Sequence, residues 1–306
     1  MVVHNDMLAF VRVVEKGSFA AAARELSVTP SALSKTITRL EQRLGAQLMT
    51  RTTRRLALTA EGETYLLRCR EILAAIEAAE SEITSSGALP RGHIRVSAGT
   101  AIGRRQLTRL LPDFLATYPD ITIDLNISDQ RVDLMAENID AALRAGELPD
   151  STLVARKIVD ARRLICASPK YLANRGTPEC PDDLLNHNCI IIANFPHLAR
   201  WPFYMPEGVT HIQVKGNVTT DNADVMLDLA VAGHGIVRMI DIHLADSVRR
   251  GLLVPLLAKE NADDPIPIWA LTPAGRNRVL RVRVFLDFLV ERFERLRLQT
   301  AASMGL

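Results

Sequence analysis

The chain has 306 residues, 48% hydrophobic and 24% charged, with a net charge of +2; this is the balance of a folded globular protein and excludes a disordered or low-complexity one. No apolar run approaches the roughly 20 residues of a membrane span, and residues 1–6 carry no export leader, so the expected location is the cytoplasm, with no membrane partner. The charge is uneven: residues 1–60 hold nine Lys or Arg against four acids, +5, whereas residues 91–306 hold 26 against 25, +1.

In chain order, the first informative stretch is residues 17–45, GSFAAAARELSVTPSALSKTITRLEQRLG. Ser18 caps a short helix over 19–26 with Phe19, Ala22, Ala23 and Leu26 at helical spacing. A turn over 27–29 follows, and Thr29 with Pro30 starts a second helix over 30–44. Its Leu33, Ile37, Leu40 and Leu44 face a small core, which leaves Ser31, Ser34, Lys35 and Thr38 on a face able to reach base edges and phosphates. An ordinary solvated helix face would hold similar residues, but the whole pattern predicts a helix-turn-helix over about 18–38. Residues 48–58 suit a small wing with Arg51, Arg54 and Arg55 near a sugar-phosphate backbone. A basic head on a nearly neutral body fits double-stranded DNA as partner.

Thr59 caps a long helix in which Tyr65, Cys69, Ile72, Ile76, Ala79 and Ile83 recur at steps of four, three, four, three and four. Such a seam packs against a second copy or against the chain's own body. The helix stops near Ser85, Ser86 and Gly87, and Pro90 and Gly92 mark a hinge. Strand-like runs then lie at 93–98, 121–127, 141–144, 164–167, 190–193, 214–219, 236–239 and 268–271. Helical periods lie at 106–118 (Pro112 a kink or restart), 132–138, 223–232 and 241–250. The alternation predicts parallel sheets covered by helices in two α/β lobes, joined by crossings near 160–163 and 262–267.

Ligands of open α/β sheets sit at the carboxyl ends of strands, beside helix N-termini. That rule selects Thr100, Ala101, Ser128, Gly146, Phe195, Thr220, Gly235 and Ile236, with amides at 100–103 and 221–222 favouring a small organic anion and Phe195 and Ile236 as apolar walls. The seven histidines and four cysteines form no metal-ligand spacing, and no nucleophile-elbow or phosphate-loop motif occurs, so no metal, cofactor or enzymatic activity is expected. Cys180 and Cys189 flank a loop and provide an alternative, a redox pair.

Phe10, Val13, Gly17, Ser18, Phe19, Ala22, Ala23, Leu26, Ser34, Leu40, Glu41, Leu44, Gly45, Leu48, Arg51, Leu58, Thr59, Gly62 and Tyr65 together resemble the LysR-type transcriptional regulators, and residues 103–134 resemble the CrgA-like branch. Two departures stand out. Met49 occupies a usual phenylalanine position, and Pro30 and Ser31 stand where many relatives have Gln and Pro. The resemblance implies a winged helix-turn-helix over 1–59, a dimerising linker helix over 60–89 and an effector domain over 90–306. That domain would be similar to type-2 periplasmic solute-binding proteins, with lobe I at 90–162 and 267–306 and lobe II at 163–266. It further implies a homo-oligomer (a dimer, or a homotetramer as a dimer of dimers), RNA polymerase as a further partner, and, for the redox alternative, a likeness to peroxide-sensing relatives. A solute-binding module without a DNA role is the competing class.

Overall fold

Helix α1 (Val2–Lys16), α2 (Phe19–Glu25) and α3 (Pro30–Leu44) bury Phe10, Val13, Ala22, Ala23, Leu33, Ile37 and Leu40 in one cluster at the start of the chain. The structure is a computed structural model and describes residues 2–51, 56–84, 89–130, 132–148, 151–193, 195–262 and 265–304. Ser18 Oγ accepts the Ala21 N–H and Thr29 Oγ1 the Ala32 N–H, so both caps form as read, and Gly45 in the left-handed region (φ 67°) ends α3. Strands β1 (Met49–Arg51) and β2 (Leu56–Leu58) pair antiparallel. Glu41 of α3 accepts the N–H groups of both Leu48 and Met49, at 2.9 and 3.2 Å, tying the hairpin to α3. Met49 is buried in the same cluster, so the departure from phenylalanine is absorbed by an adaptable apolar side chain. Buried Asp6 joins α1 to α3 through Arg39 and Arg43, at 3.4 and 3.3 Å.

Helix α4 (Ala60–Thr84) starts under Thr59, whose hydroxyl accepts the Gly62 N–H and donates to the Gln47 carbonyl. A Cβ at Gly62 would overlap the Leu48 carbonyl oxygen, so only glycine lets α4 lie this close to the hairpin. One side of α4 enters the head's core: Leu66 and Cys69 are buried there, and Tyr65 packs its ring 5.4 Å from that of Phe10.

The body runs β3 (Gly92–Ala98), a π-helical turn Ile102–Leu107 leading into α5 (Thr108–Thr117), β4 (Ile121–Ile127), β5 (Ala141–Ala145), β6 (Val154–Ala161), β7 (Arg163–Ala167), α6 (Pro169–Arg175), β8 (Ile191–Ile192), β9 (Arg200–Met205), β10 (Gly208–Gln213), β11 (Thr219–Thr220), α7 (Ala223–Ala232), β12 (Val237–Ile240), α8 (Asp241–Arg249), β13 (Val254–Leu256), β14 (Ile266–Thr272) and α9 (Leu280–Met304). Its larger sheet has the order β4-β3-β5-β14-β6, and its core joins Ile94, Val96, Phe114 and Leu143 to Phe285, Leu289 and Phe293 of α9. A second sheet, β12-β7-β13, packs with α7 on Cys166, Leu227 and Val237.

Several expectations need correction. The larger sheet is mixed, not parallel, and the second is antiparallel throughout: β4, β3 and β5 run together, but β14 returns from the second sheet in the opposite direction and pairs antiparallel with β5 and β6. The helix expected at 132–138 is a turn held by Asp133, which accepts the N–H groups of Met135 and Ala136. The strand expected at 214–219 shrinks to β11, and that at 190–193 to β8. The crossing near 160–163 is a single residue, because β6 runs to Ala161 and β7 starts at Arg163. The helix expected from 106 begins with the π-helical turn at Ile102 and continues through Pro112. The hinge serines, Ser85 and Ser86, with Gly87 lie outside the described residues.

Candidate functional site

On α3, burial of Leu33, Ile37 and Leu40 turns Ser31, Lys35 and Thr38 to the surface, with Ser34 half-buried among them. The hydroxyls are already engaged locally: Ser31 Oγ lies 3.2 Å from Thr29 Oγ1, and Thr38 Oγ1 donates to the Ser34 carbonyl at 3.0 Å, leaving its lone pairs free to accept. Arg51 belongs to β1, whereas Arg54 and Arg55 lie outside the described residues. Charge inside the head is partly spoken for. Arg12 and Lys16 pair with Glu25, and Arg39 and Arg43 with Asp6, so Lys35 stands clear of the head's acids.

The seam on α4 divides. Tyr65 and Cys69 belong to the head's own core, a correction to their expected place between subunits: Cys69 is fully buried, and burial pushes its thiol up to about 11. Ile72 is 43% exposed, Ala79 is exposed and Ile76 half-buried; Ile83 lies on the last turn. The neighbouring face of α4 was not read from the sequence. Arg70 donates to the carbonyls of Met135 and Ala136, Ala74 is buried, and Glu77 pairs with Arg281 and Arg276. α1 joins the same contact, with Glu15 accepting from Asn138 Nδ2 at 2.6 Å.

Among the residues selected for a cleft, Thr100 lies after β3, and its N–H and hydroxyl both bond to the Asp129 carboxylate, at 2.8 and 2.6 Å. The residue before it, Ser128, caps the local turn by accepting the Gln130 N–H. Across the body, Thr220 Oγ1 accepts the Asn222 N–H, while Asn222 Oδ1 accepts those of Asp224 and Val225. Of the amides expected to await an anion, those of Thr100 and Asn222 are therefore taken by side chains of the chain itself, and that of Gly103 by the Gly99 carbonyl. Phe195 is 48% exposed; Asn194 lies outside the described residues. Gly146 binds its N–H to the Pro267 carbonyl and accepts from Trp269 Nε1, and Ala101 is buried. Gly235 and Ile236 are corrected: a Cβ at Gly235 would overlap the Asn188 carbonyl, and Ile236 is 0% exposed in a core with Trp201 and Phe203, so neither presents a wall to solvent.

Three groups missed in the sequence surround this corner. Arg144, at the end of β5, donates to Ser97 Oγ and the Leu143 carbonyl; burial pulls its pKa down, and the Asp129 charge opposes that. Arg105 reaches across to Asp224 at 2.5 Å and Asp228 at 3.3 Å, with Arg104 3.7 Å from Asp224, binding the π-helical turn to the start of α7. Behind them His243 is buried, and desolvation pulls it down to about 4, with Asp224 and Asp129 opposing and Arg105 adding to the shift. All three are non-local, so spacing along the chain carried no trace of them. Cys189 is fully buried and its thiol is pushed up to about 12, whereas Cys180 is exposed. A thiol held protonated is the opposite of what the redox reading requires.

Comparison with known proteins gives two family matches: the LysR substrate binding domain over residues 87–294, and the bacterial regulatory helix-turn-helix protein, lysR family, over residues 4–63. The HTH-type transcriptional regulator CrgA of Neisseria meningitidis serogroup C is 37% identical over 94% of this chain and 96% of its own length. An HTH-type transcriptional regulator of Xanthomonas campestris is 35% identical over 94% and 85%. The solved structure of CrgA from Neisseria meningitidis, described as a LysR-type transcriptional regulator, covers 94% of this chain and 98% of its own at 37% identity and a TM-score of 0.64. That of the virulence activator AphB of Vibrio cholerae covers 94% and 98% at 28% and 0.57.

The buried His243 generates a pH dependence. Its folded pKa is depressed, so between about 6.5 and about 4 the unfolded chain binds a proton that the native protein does not. The native state holds this stability above about 6.5 and loses it as the pH falls, by on the order of 3 kcal/mol. Urea unfolding across that window is expected to show a steeper decline for the natural chain than for His243→Gln; parallel curves refute the assignment.

Proposed function

Since the chain belongs to the LysR family and is a DNA-binding transcriptional regulator, we propose that α3 reads its operator through Ser31, Ser34, Lys35 and Thr38, with Arg51, Arg54 and Arg55 on the flanking backbone. The observation that carries this is the exposed face left when α3, capped at Thr29, buries Leu33, Ile37 and Leu40. The head at 1–59, the linker at 60–89 and the body at 90–306 form the working units, the body divided into lobe I at 90–162 and 267–306 and lobe II at 163–266, and α4 is shared between the first and last. The protein regulates and does not catalyse, and it works in the cytoplasm, where its operator is.

We further propose that a small organic anion binds near Thr100, Ser128, Phe195 and Thr220. Asp129 supports this directly: a carboxylate already accepts both donors of Thr100, so this corner has the geometry of a carboxylate receptor, with Arg144 behind it. The effector's carboxylate takes the place of Asp129, and the change of partner acts on the Arg105–Asp224 bridge. Ile72, Ile76, Ala79 and Ile83 form the contact between two copies, as the exposure of Ile72 supports, giving a dimer or dimer of dimers. RNA polymerase is a further partner on DNA.

Three outcomes test these roles. Gel shifts with the DNA upstream of its own gene are expected to show Ser34→Ala or Lys35→Ala weakened by about 1–3 kcal/mol, with Arg54→Ala weakened on all sequences alike; unchanged binding in all three removes the assigned face. Ile72→Asp with Ile76→Asp places like charges in the seam, and light scattering is expected to report a smaller species; an unchanged mass means that the seam is not between copies. In a thermal-shift panel of small carboxylates, Thr100→Val is expected to abolish the stabilisation and Asp129→Asn to strengthen it, with operator binding nearly intact. The opposite ranking removes the effector from this corner.

A further inference from the structure

Away from Thr100 and Asp129, the outer edge of the larger sheet carries a concavity of about 340 Å³ between β6 and the start of α9. Three arginines from three elements line it: Arg156 from β6, Arg278 from the turn before α9, and Arg283 from the first turn of α9, with Asn277 beside them. Asp287 pairs with Arg156 at 2.7 Å, but neither Arg278 nor Arg283 has a carboxylate within 4.0 Å among the described residues. Three guanidinium groups against one carboxylate leave a surplus of two positive charges in one concave site, which repel one another until a counter-charge enters. The first turn of α9 contains no acidic residue to supply it.

The same segment faces two ways. Arg276 pairs with Asp140 and Glu77, and Arg281 with Glu77 and the His93 carbonyl, whereas Arg278 and Arg283 line the concavity. Alternate arginines of residues 276–283 thus grip the linker helix and present charge to the opposite side.

We propose that this concavity is a second ligand site, taking a small metabolite through a dianionic phosphate-ester group. A phosphoryl group presents three terminal oxygens to guanidinium forks arriving from three directions, where a planar carboxylate presents two. Its binding cross-links Arg278 and Arg283, draws Arg156 away from Asp287, and stiffens the segment that holds Glu77 of α4, so occupancy reaches the linker helix without passing through the cleft.

The test uses the full chain, titrated calorimetrically with glycerol 3-phosphate, and with succinate and potassium chloride at matched ionic strength. Saturable binding of glycerol 3-phosphate is expected. Arg278→Ala and Arg283→Ala each weaken it by at least about tenfold, and Asp287→Asn tightens it by removing the competing carboxylate. Thr100→Val leaves it unchanged, which separates this site from the cleft. Circular dichroism and unliganded melting check the fold of each variant, and the exposed Asp287→Asn arm decides even where an arginine variant is unstable. The proposal fails if the heat of glycerol 3-phosphate matches that of chloride, if succinate binds as tightly with the same variant pattern, or if Asp287→Asn weakens binding or leaves it unaltered.

Discussion

Helix α4 is packed into the core of the head and tied to the body by polar contacts, and the rest of the molecule is arranged around that constraint. Its first turns complete the head, with Leu66 and Cys69 buried against Phe10 and Leu40. Its middle is held on the body by Arg70, Ala74 and Glu77. A single helix held at its first turns and at its middle couples the head to the body, because its hydrogen-bond ladder resists rotation between the two contacts. Arg70 is nearly buried and gives its guanidinium to two carbonyls, contacts that favour one register of helix on body. Beyond those contacts Ile72 is left as a large apolar side chain of α4 facing solvent.

The body is closed by chain that returns late. β14 inserts between β5 and β6, and α9 covers the sheet with Phe285, Leu289 and Phe293. The first sheet is thus unfinished until the second has been built, and the connection that leaves it, between β6 and β7, is a single residue. The Arg105–Asp224 and Arg109–Asp246 pairs add a third set of ties, and Gln106 Nε2 donates to the Ile242 carbonyl in a buried position. With Asp224 and His243 removed from water and Arg144 partly so, the region where these ties meet is dense in poorly solvated ionisable groups. Charges there interact strongly, and exchanging one carboxylate for another rearranges their balance without any large movement of backbone.

What could be read from residues alone followed the range of the interaction. The helix-turn-helix was legible because Ser18, Thr29, Pro30 and Gly45 act within a few residues, and the fold class and long linker followed from periodicity. The body-facing side of α4 was present as Arg70, Ala74 and Glu77, but a heptad seam drew attention to Cys69 and Ile72, and only the neighbouring surface decides between adjacent stripes. α9 went unread although Val282, Phe285, Leu286, Leu289 and Phe293 keep helical spacing, because arginines punctuate each turn. Strand β6 is an edge whose apolar residues are broken by Arg156, Lys157 and Asp160 and do not alternate, and β9 and β10 carry Pro202 and Gly208, so alternation was weak there. Among the strand ends, the rule selected Thr100 and Ser128. It had no means of finding Asp129's bonds to Thr100 or of seeing that Ile236 faces inward.

The pairing of the head's acids bears on how such a protein finds its target. Asp6 holds Arg39 and Arg43, and Glu25 holds Arg12 and Lys16, so much of the nominal positive charge is neutralised at fixed positions before any nucleic acid arrives. What remains is concentrated around Lys35 and the 51–55 stretch. Since non-specific affinity scales steeply with the number of phosphates neutralised, basic groups already paired inside the head have less to give to a random stretch of chromosome than unpaired ones. In a genome where competing sites outnumber the operator by roughly a million-fold or more, internal ion pairs in a DNA-binding head bear on competition from those sites as well as on the fold.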